Sequence, residues 1–347
     1  MRPVLLRALA ALAALAALTT VTACGGGGGH TSAAPATTSA SATPTAHPVS
    51  QTTARPPAMA GVTTRGALVV LSSVTGAPVR TLVRNGVLGD EISVSPGGQL
   101  IYFSRRHGCI DDVYSVPVSG GKPILISTGS LPAISPDGDT LAFARQPPLT
   151  PHCMSGGTDL SAQFSLVTRT LSTGVEHSYP MLPAGQSTGL PAPISHLSWS
   201  PDGTRLAVSI AAIEDNEGWQ IVLLNTATAQ YYLDGPGDTF VPVTGAAARR
   251  SYWREGVYLP DGNLFVSRAC CAGVPVRNVS KLMWEVTPAG QLRHLVAMGF
   301  PGLEHTSLAV NRSGKWLLYV AGTSLYVSEE GARPRELGGG LIAATWL

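Results

Sequence analysis

Ser200-Pro201-Asp202-Gly203, followed by the apolar run Leu206-Ala207-Val208, is one copy of a unit that recurs along the chain. Pro presets φ for the first central turn position, Asp bonds nearby backbone and Gly accepts positive φ, so the tetrapeptide is a turn with a mechanism. Close copies are Ser95-Pro96-Gly97-Gly98, Ser135-Pro136-Asp137-Gly138 and Leu259-Pro260-Asp261-Gly262, with a degenerate one at Asn311-Arg312-Ser313-Gly314. Each is followed by a short apolar strand, such as Leu100-Ile101-Tyr102-Phe103 or Leu317-Leu318-Tyr319-Val320. A second hairpin follows each strand. The spacing gives five four-stranded sets at about 90–127, 131–178, 194–233, 254–296 and 305–337. Self-similarity of this period marks a propeller or solenoid. Two fragments are left over. Residues 67–82 read as a third-and-fourth-strand hairpin, and Leu341 to Leu347 read as a first strand. Together they make a sixth blade that closes the ring and removes its exposed edge.

The Ser-Pro-Asp-Gly turn with Leu-Ala-Phe behind it resembles the TolB-type β-propeller repeat. The resemblance covers about residues 62–347 and implies an all-β ring of six four-stranded blades. It also implies protein or ligand binding at a cell envelope, and no particular chemistry. The sequence departs from the pattern at Arg312, where the other turns carry Pro, and in the sixth blade, which lacks an evident second strand.

The first segment, 1–23, is for export. Arg2 and Arg7 flank an Ala/Leu core too short to span a bilayer, ending in Val21-Thr22-Ala23-Cys24. This resembles the lipobox of bacterial lipoproteins. The resemblance implies a diacylglycerol thioether on Cys24 and anchoring at the outer face of the cell membrane. Residues 24–61, rich in Gly, Thr, Ser, Ala and Pro, cannot bury enough apolar surface to fold and read as a tether reaching roughly 30–35 Å. Without Arg2 and Arg7 the 347-residue chain, with its 23 basic and 21 acidic side chains, is balanced, which excludes a nucleic-acid surface.

Alternation along the first strands assigns faces. Two positions before each turn proline, or its equivalent, stand Val94, Ile134, Trp199, Tyr258 and Val310, with Trp346 in the same slot. These large residues are expected between blades. Three positions before stand Ser93, Ala133, Ser198, Val257 and Ala309, small enough for the ring axis. Five before stand Glu91, Leu131, His196, Glu255, Ser307 and Ala343. Glu91, His196 and Glu255 are candidates for a divalent cation or cationic ligand at one mouth of the channel. A solvated rim with each Glu paired to Arg is the preferred reading, and no bound metal or other cofactor is expected.

Four cysteines remain after Cys24. Cys109, Cys153, Cys270 and Cys271 fall in connections between second and third strands. Export favours disulfides, with Cys109–Cys153 first among the three connectivities and Cys270–Cys271 a vicinal bridge or free thiols. His107 and His152 beside Cys109 and Cys153 make a zinc site the alternative. The long connection from Gly235 to Arg254 carries Arg249, Arg250, Trp253 and Arg254, residue types that anchor interfaces. It opens on the face opposite the short turns, which read as structural. The chain contains no Gly-x-Ser-x-Gly elbow, phosphate loop, His-Glu-x-x-His or dinucleotide fingerprint. A lipid-anchored binding scaffold is therefore expected, with an unidentified envelope protein or small ligand as partner. The alternatives are a metal-dependent hydrolase or lyase at the channel mouth and an extracytoplasmic small-ligand sensor.

Overall fold

Each short turn in the computed structural model closes the way its residues dictate. In the turn of Ser200, the Gly203 N–H donates to the Ser200 carbonyl at 2.9 Å, with Gly203 at φ 69°. The Ser200 hydroxyl accepts the Arg205 N–H at 2.9 Å and donates to Asp202, whose carboxylate also takes the Thr204 N–H at 3.0 Å. Ser135 and Asp137 repeat the pattern with Thr140 and Asp139. These bonds hold the carboxyl groups of Asp137 and Asp202 below the usual carboxylate range, the serine hydroxyl contributing most in each case.

The structure describes residues 57–108, 110–145, 165–179, 194–211, 219–232, 252–269, 282–287, 292–298, 305–329, 332 and 334–347, with backbone alone at some of them. All belong to one unit, Thr53–Leu347. Three strands come first, Met59–Thr63 (β1), Leu68–Leu71 (β2) and Pro78–Val83 (β3). Val87–Val94 (β4), Leu100–His107 (β5), Ile110–Pro117 (β6) and Ile124–Thr128 (β7) form the next sheet. Ser130–Ile134 (β8), Thr140–Arg145 (β9), Ser165–Thr170 (β10) and Glu176–Tyr179 (β11) form another. Then come Ile194–Trp199 (β12), Arg205–Ala211 (β13), Trp219–Asn225 (β14) and Gln230–Tyr232 (β15). The fifth group is Tyr252–Tyr258 (β16), Leu264–Ala269 (β17), Leu282–Val286 (β18) and Leu292–Met298 (β19). Last are His305–Val310 (β20), Trp316–Ala321 (β21), Ser324–Glu329 (β22), Arg335–Gly339 (β23) and Leu341–Trp346 (β24).

The result is the expected all-β, six-bladed propeller. Five blades are antiparallel meanders in chain order, and the sixth runs β24-β1-β2-β3. The first strands adjoin one another around the ring, β4 to β8, β12, β16, β20 and β24, and β24 returns to β4. The sixth blade does have a second strand. Met59-Ala60-Gly61-Val62-Thr63 pairs with both β24 and β2. The run looks unlike a strand in sequence because it ends a Thr/Ala/Pro-rich stretch and its first-strand partner lies at the far end of the chain.

The apolar core of the described residues is six wedges, one at each seam between blades. A blade is therefore covered on both faces, and its second strand must be apolar on both sides. Leu141-Ala142-Phe143-Ala144 is fully buried for this reason, and Phe103, Phe265 and Tyr319 fill the same layer in other blades. Each buried aromatic contributes about 1.5–3 kcal/mol.

The seams are also hydrogen-bonded. The Ile134 N–H donates to the Ser93 hydroxyl of the preceding blade at 3.0 Å, and the Tyr258 N–H to Ser198 at 2.9 Å. Where the inner residue is Ala133, which has no hydroxyl, the Trp199 indole N–H donates to its carbonyl at 2.9 Å. The large residues two positions before the turn thus do pack between blades, with Trp199 and Trp346 buried.

Candidate functional site: the axial cavity

The first strands enclose a cavity of about 470 Å³ on the ring axis. The small residues three positions before the turn, Ser93, Ala133, Ser198, Val257 and Ala309, all line it, and Thr345 supplies the sixth blade's share. Pro96, Pro136, Pro201 and Pro260 form its mouth, and Arg312 takes the fifth place. This mouth lies among the short turns. The short turns, read as structural, also border this cavity. Neighbouring turns stand close together there, Gly138 against Pro96 and Gly314 against Pro260 of the preceding blades.

The simple alternation of faces stops short of the five-back position. The pairing slips by one residue just before it in several blades. The slip lies between Ile194 and His196, between Trp253 and Glu255, between His305 and Ser307, and between Leu341 and Ala343 on the partner side of Val62/Thr63. A bulge of this kind bends the strand and re-aims the side chain beside it. The outcomes differ. His196 is buried and lines the cavity. Ser307 is buried and turned to the next blade, where its hydroxyl donates to the Ala344 carbonyl at 3.1 Å and accepts the Ala344 N–H at 3.2 Å. Glu255 is buried and not part of the cavity lining. Glu91 lies in β4, and its side chain is outside the described residues. Among the described residues no three His, Cys, Asp or Glu stand together as a metal-binding group.

Other sequence candidates are placed in part. Cys109, Cys153, Cys270 and Cys271 fall between second and third strands of their blades, as read, and they lie outside the described residues, as do Cys24, Arg249 and Arg250. Trp253 and Arg254 belong to β16, a first strand, and not to a loop; their side chains are outside the described residues. Arg254 is the residue at the bulge. Sequence reading passed over Asn311 and Arg312 as site residues. The signal was present, since Arg312 breaks the proline pattern of the repeat.

Beside the cavity, Tyr258 borders a second space of about 490 Å³ between two blades, with Arg205, Asp202 and Asp261. Burial pushes the Tyr258 phenol well above its ordinary value, Arg205 acting against this and Asp202 with it. It stays a neutral hydroxyl at every ordinary pH.

No protein-family model matches the chain, and no curated protein matches it. Solved structures do. TolB from Acinetobacter baumannii superposes with TM-score 0.54 at 14% identity, over 84% of this chain and 66% of that one. A chain of a nidogen/laminin complex gives TM-score 0.55 at 10% identity, over 84% of this chain and 98% of that one. An oligogalacturonate lyase in complex with manganese gives 0.51 at 13% identity, over 79% and 70%. Likeness at such identities is likeness of fold, and the three similar proteins bear unrelated names, so what this six-bladed propeller does has to be argued from its own cavity.

Proposed function

We propose that the protein is a non-catalytic binding scaffold of the bacterial envelope, anchored by a lipid on Cys24, which takes its ligand or partner into the axial cavity. The observation that carries this reading is the cavity, preformed by six blades and lined by apolar side chains with a few polar ones. Its size and lining are those of binding sites in general. The likeness to a TolB chain supports an envelope role, and Val21-Thr22-Ala23-Cys24 supports the anchor.

Crosslinking on intact cells tests it. A partner is expected that is captured by the full chain, reduced with Cys24→Ala, and lost with Ala309→Phe, which fills the channel. Capture unchanged by Ala309→Phe in a folded protein would remove the cavity from the function.

His196 in the cavity wall is the observation that favours a metal-dependent hydrolase or lyase instead. Metal analysis of the purified protein and a thermal scan with added Mn²⁺ separate the two. No bound ion and no shift would end that reading. A small-ligand sensor shares the cavity, and would show saturable stabilisation without turnover.

A further inference from the structure

The few polar side chains in the wall of the axial cavity include hydrogen-bond donors, and among its described residues there is no carboxylate. This is notable because acidic residues stand on the same turns. Asp137, Asp202 and Asp261 each follow a mouth proline directly. Their carboxylates are turned back into their own turns, where Asp137 takes the Asp139 N–H, Asp202 the Thr204 N–H and Asp261 the Asn263 N–H, each at 3.0 Å. The negative charge of this face is thereby held outside the cavity.

The donors are set by the same bonds that hold the ring. A serine hydroxyl has one proton and two acceptor sites. Ser93 and Ser198 each accept a backbone N–H from the next blade, and among the described residues neither hydroxyl has an acceptor of its own. Their protons are left to donate into the channel. Asn311 is committed in the same sense. Its side-chain oxygen accepts the Trp316 N–H at 3.0 Å and the Ser313 hydroxyl at 3.1 Å, which leaves its amino group to donate. Arg312 adds the positive charge. It is exposed at the mouth, and among the described residues no carboxylate is within ion-pair distance of it.

Resting on the cavity as the binding site, we infer that its ligand is a carboxylate carried on an apolar body. The carboxylate meets Arg312 and Asn311, and the body lies against the prolines of the mouth and Val257 and Ala309. One guanidinium offers a planar fork that matches the two oxygens of a carboxylate. The same chemistry comes from a free small acid or from an acidic side chain on a partner segment.

The test uses the full chain in detergent and two probe pairs. One is 4-phenylbutyrate with its neutral amide. The other is a capped tetrapeptide of leucines with one aspartate, and its asparagine counterpart. Affinity is read by calorimetry and by thermal shift. An acidic probe is expected to saturate and to bind at least tenfold more tightly than its neutral twin. Arg312→Pro, which restores the residue of the other turns, is expected to abolish that tenfold difference while leaving the ligand-free melting temperature unchanged. Binding of the free acid alone marks a small-molecule ligand, and binding of the peptide alone marks a partner segment; either supports the inference. Equal binding of acid and neutral twin, no binding of either acid, or retention of the preference in Arg312→Pro overturns it. Loss of cellular capture in Ala309→Phe alongside such a result would leave the cavity as the binding site and refute only the carboxylate.

Discussion

Trp346 and Ala309 stand on adjoining blades, and the indole N–H of Trp346 donates to the Ala309 carbonyl at 3.3 Å. Trp199 and Ala133 are related in the same way one half-ring away. Where the inner residue is Ser93 or Ser198, its hydroxyl accepts a backbone N–H from the next blade instead. A seam is thus bridged from either side, by a tryptophan opposite alanine or by a serine opposite the backbone. Trp346→Phe keeps most of the buried ring and removes the donor. It is expected to cost about 1 kcal/mol, the effect of losing one partly buried hydrogen bond. Equilibrium urea unfolding should show a lower midpoint with an unchanged slope.

Glu176 ties two blades at their outer edge. It accepts from Arg145 at 2.9 Å and Arg169 at 3.0 Å in its own blade, and from the Ser127 hydroxyl of the preceding blade at 2.7 Å. Partial burial alone would raise this carboxyl, but the bonds from Arg145, Ser127 and Arg169 and the charge of Arg145 outweigh it and bring it down to about 2. A depressed folded value stabilises fully above the unfolded value near 4.5, and the benefit is lost as pH falls from there to about 2. Glu176→Gln should therefore be less stable than the natural protein at pH 7. The gap between their urea midpoints should narrow as pH falls from about 4.5 towards 2. A gap as wide at pH 2 as at pH 7 would mean that the carboxylate's charge contributes nothing.

Met59, Ala60 and Val62 of β1 are fully buried between β24 and β2. Removing residues 1–56 should leave the melting temperature of the ring within a few degrees of the full chain. Removing residues 1–66 deletes β1 and opens the sixth blade. The loss of one buried Met and one buried Val alone is expected to cost more than about 3 kcal/mol. Calorimetry of the two truncated forms decides the matter.

Gly129 is the entire link between β7 and β8, and hence between two blades. Its φ is 150°, and a Cβ there would meet the Phe143 ring at 2.5 Å and the Ala144 carbonyl at 2.7 Å. Both neighbours are fully buried and cannot retreat. Gly129→Ala is expected to destabilise the ring by about 2–4 kcal/mol through backbone strain and overpacking. Gly262, which has open space where a Cβ would go, provides the comparison. Gly262→Ala has only its positive φ to overcome and should cost about 1 kcal/mol.

The chain's sequence by itself determined the repeat, the blade boundaries to within a few residues, and the closure of the ring by its two ends. The repeat and its boundaries are local, and closure follows from counting what the repeat leaves over at each end. Pro, Asp and Gly impose a turn wherever they stand together, and a twice-covered second strand has to be apolar throughout, as Leu141-Ala142-Phe143-Ala144 is. The small-then-large order before each turn was legible for the same reason. Only the tertiary structure decided the rest. Met59–Thr63 is a strand because β24, nearly three hundred positions away, supplies its partner, and no local signal records that pairing. His196 and Ser307 occupy equivalent places in the repeat, yet one lines the axis and the other bonds to the next blade. A one-residue slip in pairing precedes each of them, and period-two counting cannot foresee where the side chain goes after it. The axial cavity itself is a property of six strands brought to one axis. Its donors became donors only when bonds across the seams had occupied the acceptors of Ser93 and Ser198.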